Sequence, residues 1–234
     1  MRPPNLIDIL SLDLPSFIVG IGIHEFAHAF AADRMGDPTP RSQGRVSLNP
    51  IEHLDPIGTL LPIFLSLQGS PVAFGWGKPV QYDPGNFRNP NRGSGITAIA
   101  GPLSNLMVCC VVGILLTIAS NQPDLWRAAT TPVGNYFYRL LFRMFSFNLG
   151  LFLFNLLPIP PLDGSKVVCW LGGEYVSELM RKMQPYSLMI LIGFLMSHMD
   201  SVLLYPLFIK LTIFFTGPLA HYVFAPAQFI ADFL

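Results

Sequence analysis

Leu14-Pro15-Ser16-Phe17-Ile18-Val19-Gly20-Ile21-Gly22-Ile23-His24-Glu25-Phe26-Ala27-His28-Ala29-Phe30-Ala31-Ala32-Asp33-Arg34-Met35 is the stretch on which the reading of this chain turns. It is apolar over a length that crosses the hydrocarbon of a bilayer, which takes roughly 20 helical residues, yet it carries His24, Glu25 and His28 in its interior. Residues four apart lie on one face of an α-helix, so both imidazoles can reach a single ion, with Glu25 on the adjoining part of that face. A bare HExxH in a soluble helix reads as a polar surface patch. Inside a span, unpartnered ionisable groups are costly, and such groups mark a functional site. Metal binding is therefore preferred over structural hydrogen bonding, and zinc, which takes two histidines readily, leaves Glu25 free to act as a base.

Working outward, residues 96–120 and 136–157 are equally long and apolar, and with 14–35 they predict three membrane-spanning helices. Residues 186–215 are apolar for about 30 positions, too long for one comfortable span. Asp200 and Pro206 interrupt them, so two further C-terminal helices are expected. Between the first two spans the run 57–67 is too short to cross and predicts a re-entrant or interfacial helix. The segment Val72-Ala73-Phe74-Gly75-Trp76-Gly77-Lys78-Pro79-Val80 sets β-branched and aromatic residues between turn formers and predicts short strands. The expected fold is an all-α polytopic membrane protein in one domain over residues 1–234, its core at about 14–170 and its C-terminal helices at about 186–225, with a small β or re-entrant element between the first two core helices.

Composition agrees with a membrane setting. Of the 234 residues 51% are hydrophobic and 12% charged, with 14 Lys plus Arg against 14 Asp plus Glu. No basic excess exists to neutralise phosphates, which excludes nucleic acid as a partner. Cys109, Cys110 and Cys169 form no CxxC pair and read as packing residues. Asp8 and Asp13 precede the first apolar stretch where a secretory leader would be basic, so that stretch is expected to stay in the mature protein. Loops 36–95 and 158–186, with Arg34, hold most of the basic residues, which places the end of the first span in the cytoplasm. Arg139 and Arg143 lie in the outer part of a span and are expected to snorkel to the far interface.

A zinc hydrolase takes three protein ligands and an open position. Asp163, in Pro158-Ile159-Pro160-Pro161-Leu162-Asp163-Gly164, is the best third ligand, because the prolines unwind the chain and let a carboxylate turn back towards the histidines. Its local pattern fits a turn or helix-cap aspartate equally well. Both motifs lie on the cytoplasmic side, His28 roughly 10 Å from the end of its helix. His53 reads as a gate or accessory ligand, or as an ordinary loop histidine. Gly101, Ser104 and Asn105 read as small-residue helix contacts, and His198 and His221 as interfacial residues.

His24 to His28 and Leu162-Asp163-Gly164 together resemble the hallmark HExxH and LDG motifs of the site-2 proteases, peptidase family M50. The resemblance extends through Asp33-Arg34-Met35-Gly36-Asp37-Pro38-Thr39-Pro40, Leu48-Asn49-Pro50, Phe74-Gly75-Trp76-Gly77-Lys78-Pro79-Val80, Ala100-Gly101-Pro102-Leu103-Ser104-Asn105 and Phe154-Asn155-Leu156-Leu157-Pro158. These blocks look like the compact bacterial and archaeal branch without PDZ or CBS domain. The resemblance implies a three-helix catalytic core, one Zn2+ per chain on His24, His28 and Asp163, and Glu25 as general base. It implies cleavage of membrane-anchored protein substrates in or near their transmembrane segments, in a prokaryotic cell membrane, with a second copy of the chain as a candidate partner. Asn155 matches a family asparagine and would hold the substrate backbone or assist the oxyanion; a helix-to-helix hydrogen bond is its alternative.

Three rivals are weighed against this. A zinc transporter or channel needs ligands strung along a path, whereas these gather in one place. An inactive scaffold has no use for Glu25. A serine-type protease lacks a GxSxG motif or an evident Ser/His pair.

Overall fold

The computed structural model describes residues 6–68, 75–197 and 199–216. Three helices among them are long and apolar enough to cross a membrane, Leu6–Arg34, Pro90–Asn121 and Pro132–Asn155. The first is α1 (Leu14–Arg34), entered through a short turn at Leu6–Asp8 and a π-helical segment at Ile9–Asp13. After a loop come α2 (Pro56–Leu67), α3 (Pro90–Asn121), α4 (Pro132–Asn155), α5 (Asp163–Met183), α6 (Ser187–Met196) and α7 (Met199–Thr216).

Two of the expected spans start earlier than hydropathy predicts, for a local chemical reason. The Asn89 side chain accepts from the Arg92 amide at 3.0 Å, and Pro90 follows at a position whose N–H has no helical partner anyway. Thr131 and Pro132 repeat the device at α4, where the threonine oxygen accepts from the Gly134 amide at 3.1 Å. Polar caps begin these helices several residues outside the apolar stretch.

Helices α1, α3 and α4 pack against one another, and α5 lies on α3. Their common core gathers Cys109, Val112 and Leu116 of α3 with Phe142, Phe145, Leu149 and Leu153 of α4, and Phe208, Leu211 and Phe215 of α7 close over it. Cys109 is fully buried there, as a packing residue. At Gly20 a Cβ would stand 2.9 Å from the Phe147 ring, so α1 and α4 meet closely only because that position is glycine.

Three expectations are corrected. The strands predicted over residues 72–80 are not formed among the described residues: Val72, Ala73 and Phe74 lie outside them, and Gly75 to Val80 carry a single antiparallel bridge, between Gly77 and Leu54. Pro79 has no N–H to continue a ladder. The C-terminal apolar stretch does divide, at Ser197 and so close to Asp200, while Pro206 sits inside α7. With 10 residues α6 spans about 15 Å, half the hydrocarbon thickness, so two further full spans are not made among the described residues. Arg139 and Arg143 pair with Asp8 at 2.6 Å and Asp13 at 3.3 Å, tying the N-terminal segment to α4. Finally, most of the loop expected over 158–186 is helix α5, kinked at Gly173, whose φ of 68° only glycine adopts without strain. The short helix predicted over 57–67 is present as α2, with Ile57, Leu60 and Phe64 exposed along one stripe. His198 and His221 lie outside the described residues.

Candidate metal centre

His24 and His28 point from one face of α1 into the angle between α3 and α5, and both are buried. Their Nε2 atoms are 3.0 Å apart. Asp163 begins α5, and its side chain caps no amide of its own helix. Its Oδ2 turns instead to the histidines, 3.2 Å from His24 Nε2 and 3.1 Å from His28 Nε2. Of the two readings open for Asp163, position and direction are thus combined: it sits at a helix start while its carboxylate faces the imidazoles. The chain folds back this far because the turn 158–162 packs on the end of α4. A Cβ at Gly164 would fall 2.3 Å from the Leu156 carbonyl oxygen, a distance no other residue could accept.

Each histidine is oriented from behind. His28 Nδ1 donates to the Thr97 carbonyl at 2.7 Å, and His24 Nδ1 donates to Asn105 Oδ1 at 2.6 Å. The direction of the Asn105 amide is fixed in turn, since its Nδ2 donates to the Gly20 carbonyl at 3.0 Å and to Asn148 Oδ1 at 2.8 Å. Asn148 Nδ2 donates to the Met144 carbonyl at 2.8 Å. With Nδ1 donating, the neutral form of each imidazole presents an Nε2 lone pair, and both Nε2 atoms are aimed at one point, which is how metal-binding imidazoles are held.

These residues fit a dication. Two imidazole nitrogens and one carboxylate oxygen are donors zinc accepts, and tetrahedral bonds of about 2.0–2.1 Å would set donors about 3.3 Å apart, a few tenths wider than the spacing here. Gly101 of α3 makes the necessary room: a Cβ there would sit 2.4 Å from His28 Nε2 and 2.8 Å from His24 Cε1. Among the described residues this is the single group of three or more such side chains able to hold a metal.

Glu25 lies beside the group on α1, partly buried, and its Oε2 accepts from the Val80 amide at 3.1 Å. Lys166, one turn along α5, approaches the other Asp163 oxygen at 4.0 Å and rests over the Tyr82 ring. His53 is not part of the donor group: its ring is fully buried in the loop, and Nε2 donates to the Ser47 carbonyl at 2.7 Å. Asn155 ends α4 with Nδ2 donating to the Leu151 carbonyl of its own helix at 3.1 Å; among the described residues it makes no helix-to-helix bond, and it stands outside the three-donor group. Asn105, expected to serve packing, is a histidine-orienting residue. Thr97, Gly101 as a cradle, and Asn148 were missed. An asparagine in the middle of Phe145-Ser146-Phe147-Asn148-Leu149 was the signal available for the last.

Just outside α1, Asp37 is fully buried. Burial alone would raise its pKa, but the Thr39 hydroxyl and amide, the Asn86 amide group and the Asp83 amide all donate to it and hold it below the usual carboxylate value. It ties the end of α1 to the loop that precedes α3.

Comparison with known proteins gives the same picture. The model of the family described as Peptidase family M50 matches residues 14–198. A Bacillus subtilis (strain 168) protein named "Putative zinc metalloprotease YwhC" is 34% identical over 88% of this chain and 88% of its own length. "Putative zinc metalloprotease Rip2" of Mycolicibacterium smegmatis is 30% identical over 70% of this chain and 58% of its own. "Putative zinc metalloprotease MJ0611" of Methanocaldococcus jannaschii is 39% identical over 33% of this chain and 34% of its own. No solved structure gives a significant match. A match over most of the chain, which includes the helix that holds the paired histidines, means that this protein belongs to peptidase family M50, the site-2 protease family.

Proposed function

We propose that this metalloprotease is a zinc-dependent intramembrane endopeptidase, cleaving membrane-anchored proteins in or near their transmembrane segments. Its site faces the cytoplasmic side of a prokaryotic cell membrane. The observation that carries the reading is the convergence of His24, His28 and Asp163 beside Glu25, on a helix long enough to span. Relatives named as zinc metalloproteases support the choice of metal. The transporter reading has no support, because the donors form one cluster rather than a path.

His24, His28 and Asp163 would hold the zinc, which would supply Lewis acidity for a polarised carbonyl and a water activated near neutral pH. The rest is work for the chain. Glu25 accepts the water proton and passes it to the leaving nitrogen. Val80 occupies Oε2, while Oε1 makes no bond among the described residues and is the oxygen left for that transfer. Asn155 keeps its Oδ1 for the backbone of a bound substrate. A substrate helix must first unwind, because its amides are bonded within itself. Residues 75–80 are the segment assigned to lie along it, and there Trp76, Lys78 and Val80 spend their own amides on Gly58, His53 and Glu25.

The test compares purified wild type with Glu25→Gln. Both should hold about one zinc per chain, while kcat towards a membrane-anchored reporter falls about 10²- to 10⁴-fold in the variant. Equal cleavage by the variant removes Glu25 as base.

A further inference from the structure

Arg45 is 4% exposed, yet this buried guanidinium has no carboxylate within bonding distance among the described residues, and its Nε has no partner there. A buried cation is expensive unless its donors do something specific. The one side-chain bond it makes among the described residues is from Nη2 to the Lys78 carbonyl. On the other side of the same residue, the Lys78 amide donates to the His53 carbonyl at 2.8 Å. Lys78 is therefore held at both its amide and its carbonyl, and two residues on, the Val80 amide donates to Glu25 Oε2.

Close contacts leave the segment no slack. A Cβ at Gly77 would be 2.5 Å from Ile21, 3.1 Å from the His53 carbonyl oxygen and 3.2 Å from Glu25 Cγ. A Cβ at Gly58 would be 2.2 Å from the Trp76 carbonyl oxygen. The strap thus lies directly on α1 beside the glutamate, and Arg45 fixes its depth from behind. Burial pushes the Arg45 pKa down, while Glu25 and Glu52 draw it back up, so the cation also faces the base electrostatically.

We infer that Arg45 is a positioning residue for the catalytic step: by clamping the Lys78 peptide against the His53 loop it sets the Val80 amide on Glu25 Oε2 and so fixes which oxygen of the base meets the reacting water. This rests on Glu25 being the base. Its role differs from zinc binding, since Arg45 touches none of the three donors. It differs from substrate binding too, since the carbonyl it holds belongs to the enzyme.

Amide hydrogen exchange and kinetics test it on the full-length, zinc-loaded protein. In Arg45→Met, exchange in the peptide containing Lys78 and Val80 should speed up about tenfold or more, with the α1 peptide containing His24 and His28 unchanged. Glu25→Ala should speed exchange in the strap peptide alone. The kcat of Arg45→Met should fall about 10- to 100-fold, as for a displaced catalytic group, with KM within about threefold and zinc content intact. Arg45→Lys, which keeps one donor and the charge, should recover most of it. Unchanged exchange in Arg45→Met, or loss of zinc together with activity, overturns the inference; the exchange result stands whether or not the wild type cleaves the chosen reporter, so the clamp and the protease reading fail separately.

Discussion

At the scale of single residues, the site depends on side chains that never touch the reaction. Asn105 holds one histidine through one bond and is itself locked by Gly20 and Asn148. Replacing it by leucine should weaken zinc binding about 10- to 100-fold, the usual loss when a ligand's outer partner is removed. Competition with a chelator measures this. Gly101→Ala should be more severe, because a methyl group 2.4 Å from His28 Nε2 occupies the volume of the ligand itself; zinc content on purification should fall towards zero. Asp37 carries a pH signature. Its folded pKa is depressed, so the stabilisation it gives is present above the ordinary carboxylate value of about 3.9 and disappears as pH falls through the folded value. Asp37→Asn should therefore melt at lower temperature than wild type at pH 7, and the gap should close as the pH is taken below 4. A gap that persists in acid would contradict the assignment.

At the scale of elements, what could be read from the chain was whatever repeats at short range. The three spans follow from runs of apolar residues, and the pairing of His24 with His28 follows from the pitch of a helix. Asp163 was open from its local pattern, because a turn aspartate and a ligand look alike until the chain is folded back. Asn105 was read as a small packing residue, since nothing near it in sequence says that a histidine 81 positions earlier stands against it. The strap was read as strands from its β-formers, but its partners are a loop residue, an arginine and the base, each on a different segment, and Pro79 prevents a ladder. Gly77 was equally opaque: its need for a bare Cα comes from Ile21, His53 and Glu25. Gly77→Ala should push the strap off α1 and lower kcat with zinc retained, and unchanged kcat would show that the strap has room to spare.

For the whole molecule, the distribution of basic residues predicts which way the bundle faces. The loop at 36–55 should be cytoplasmic. In a variant lacking the three native cysteines, Gln43→Cys, an exposed position, should react with a membrane-impermeant maleimide in inverted vesicles and not in intact cells. Labelling of intact cells would reverse the orientation. The ion pairs of Arg139 with Asp8 and Arg143 with Asp13 lie at the opposite end of the same bundle and tie the first helix to α4, so the histidine helix is held at both ends, by that pairing and by Asp37.

X-ray absorption at the zinc edge tests the centre itself, on wild type and on Asp163→Ala. Two imidazole nitrogens and oxygen ligands at about 2.0–2.2 Å are expected in the wild type, with zinc lost or bound much more weakly in the variant. Sulfur at about 2.3 Å, or a variant that keeps zinc with an unaltered spectrum, would contradict it.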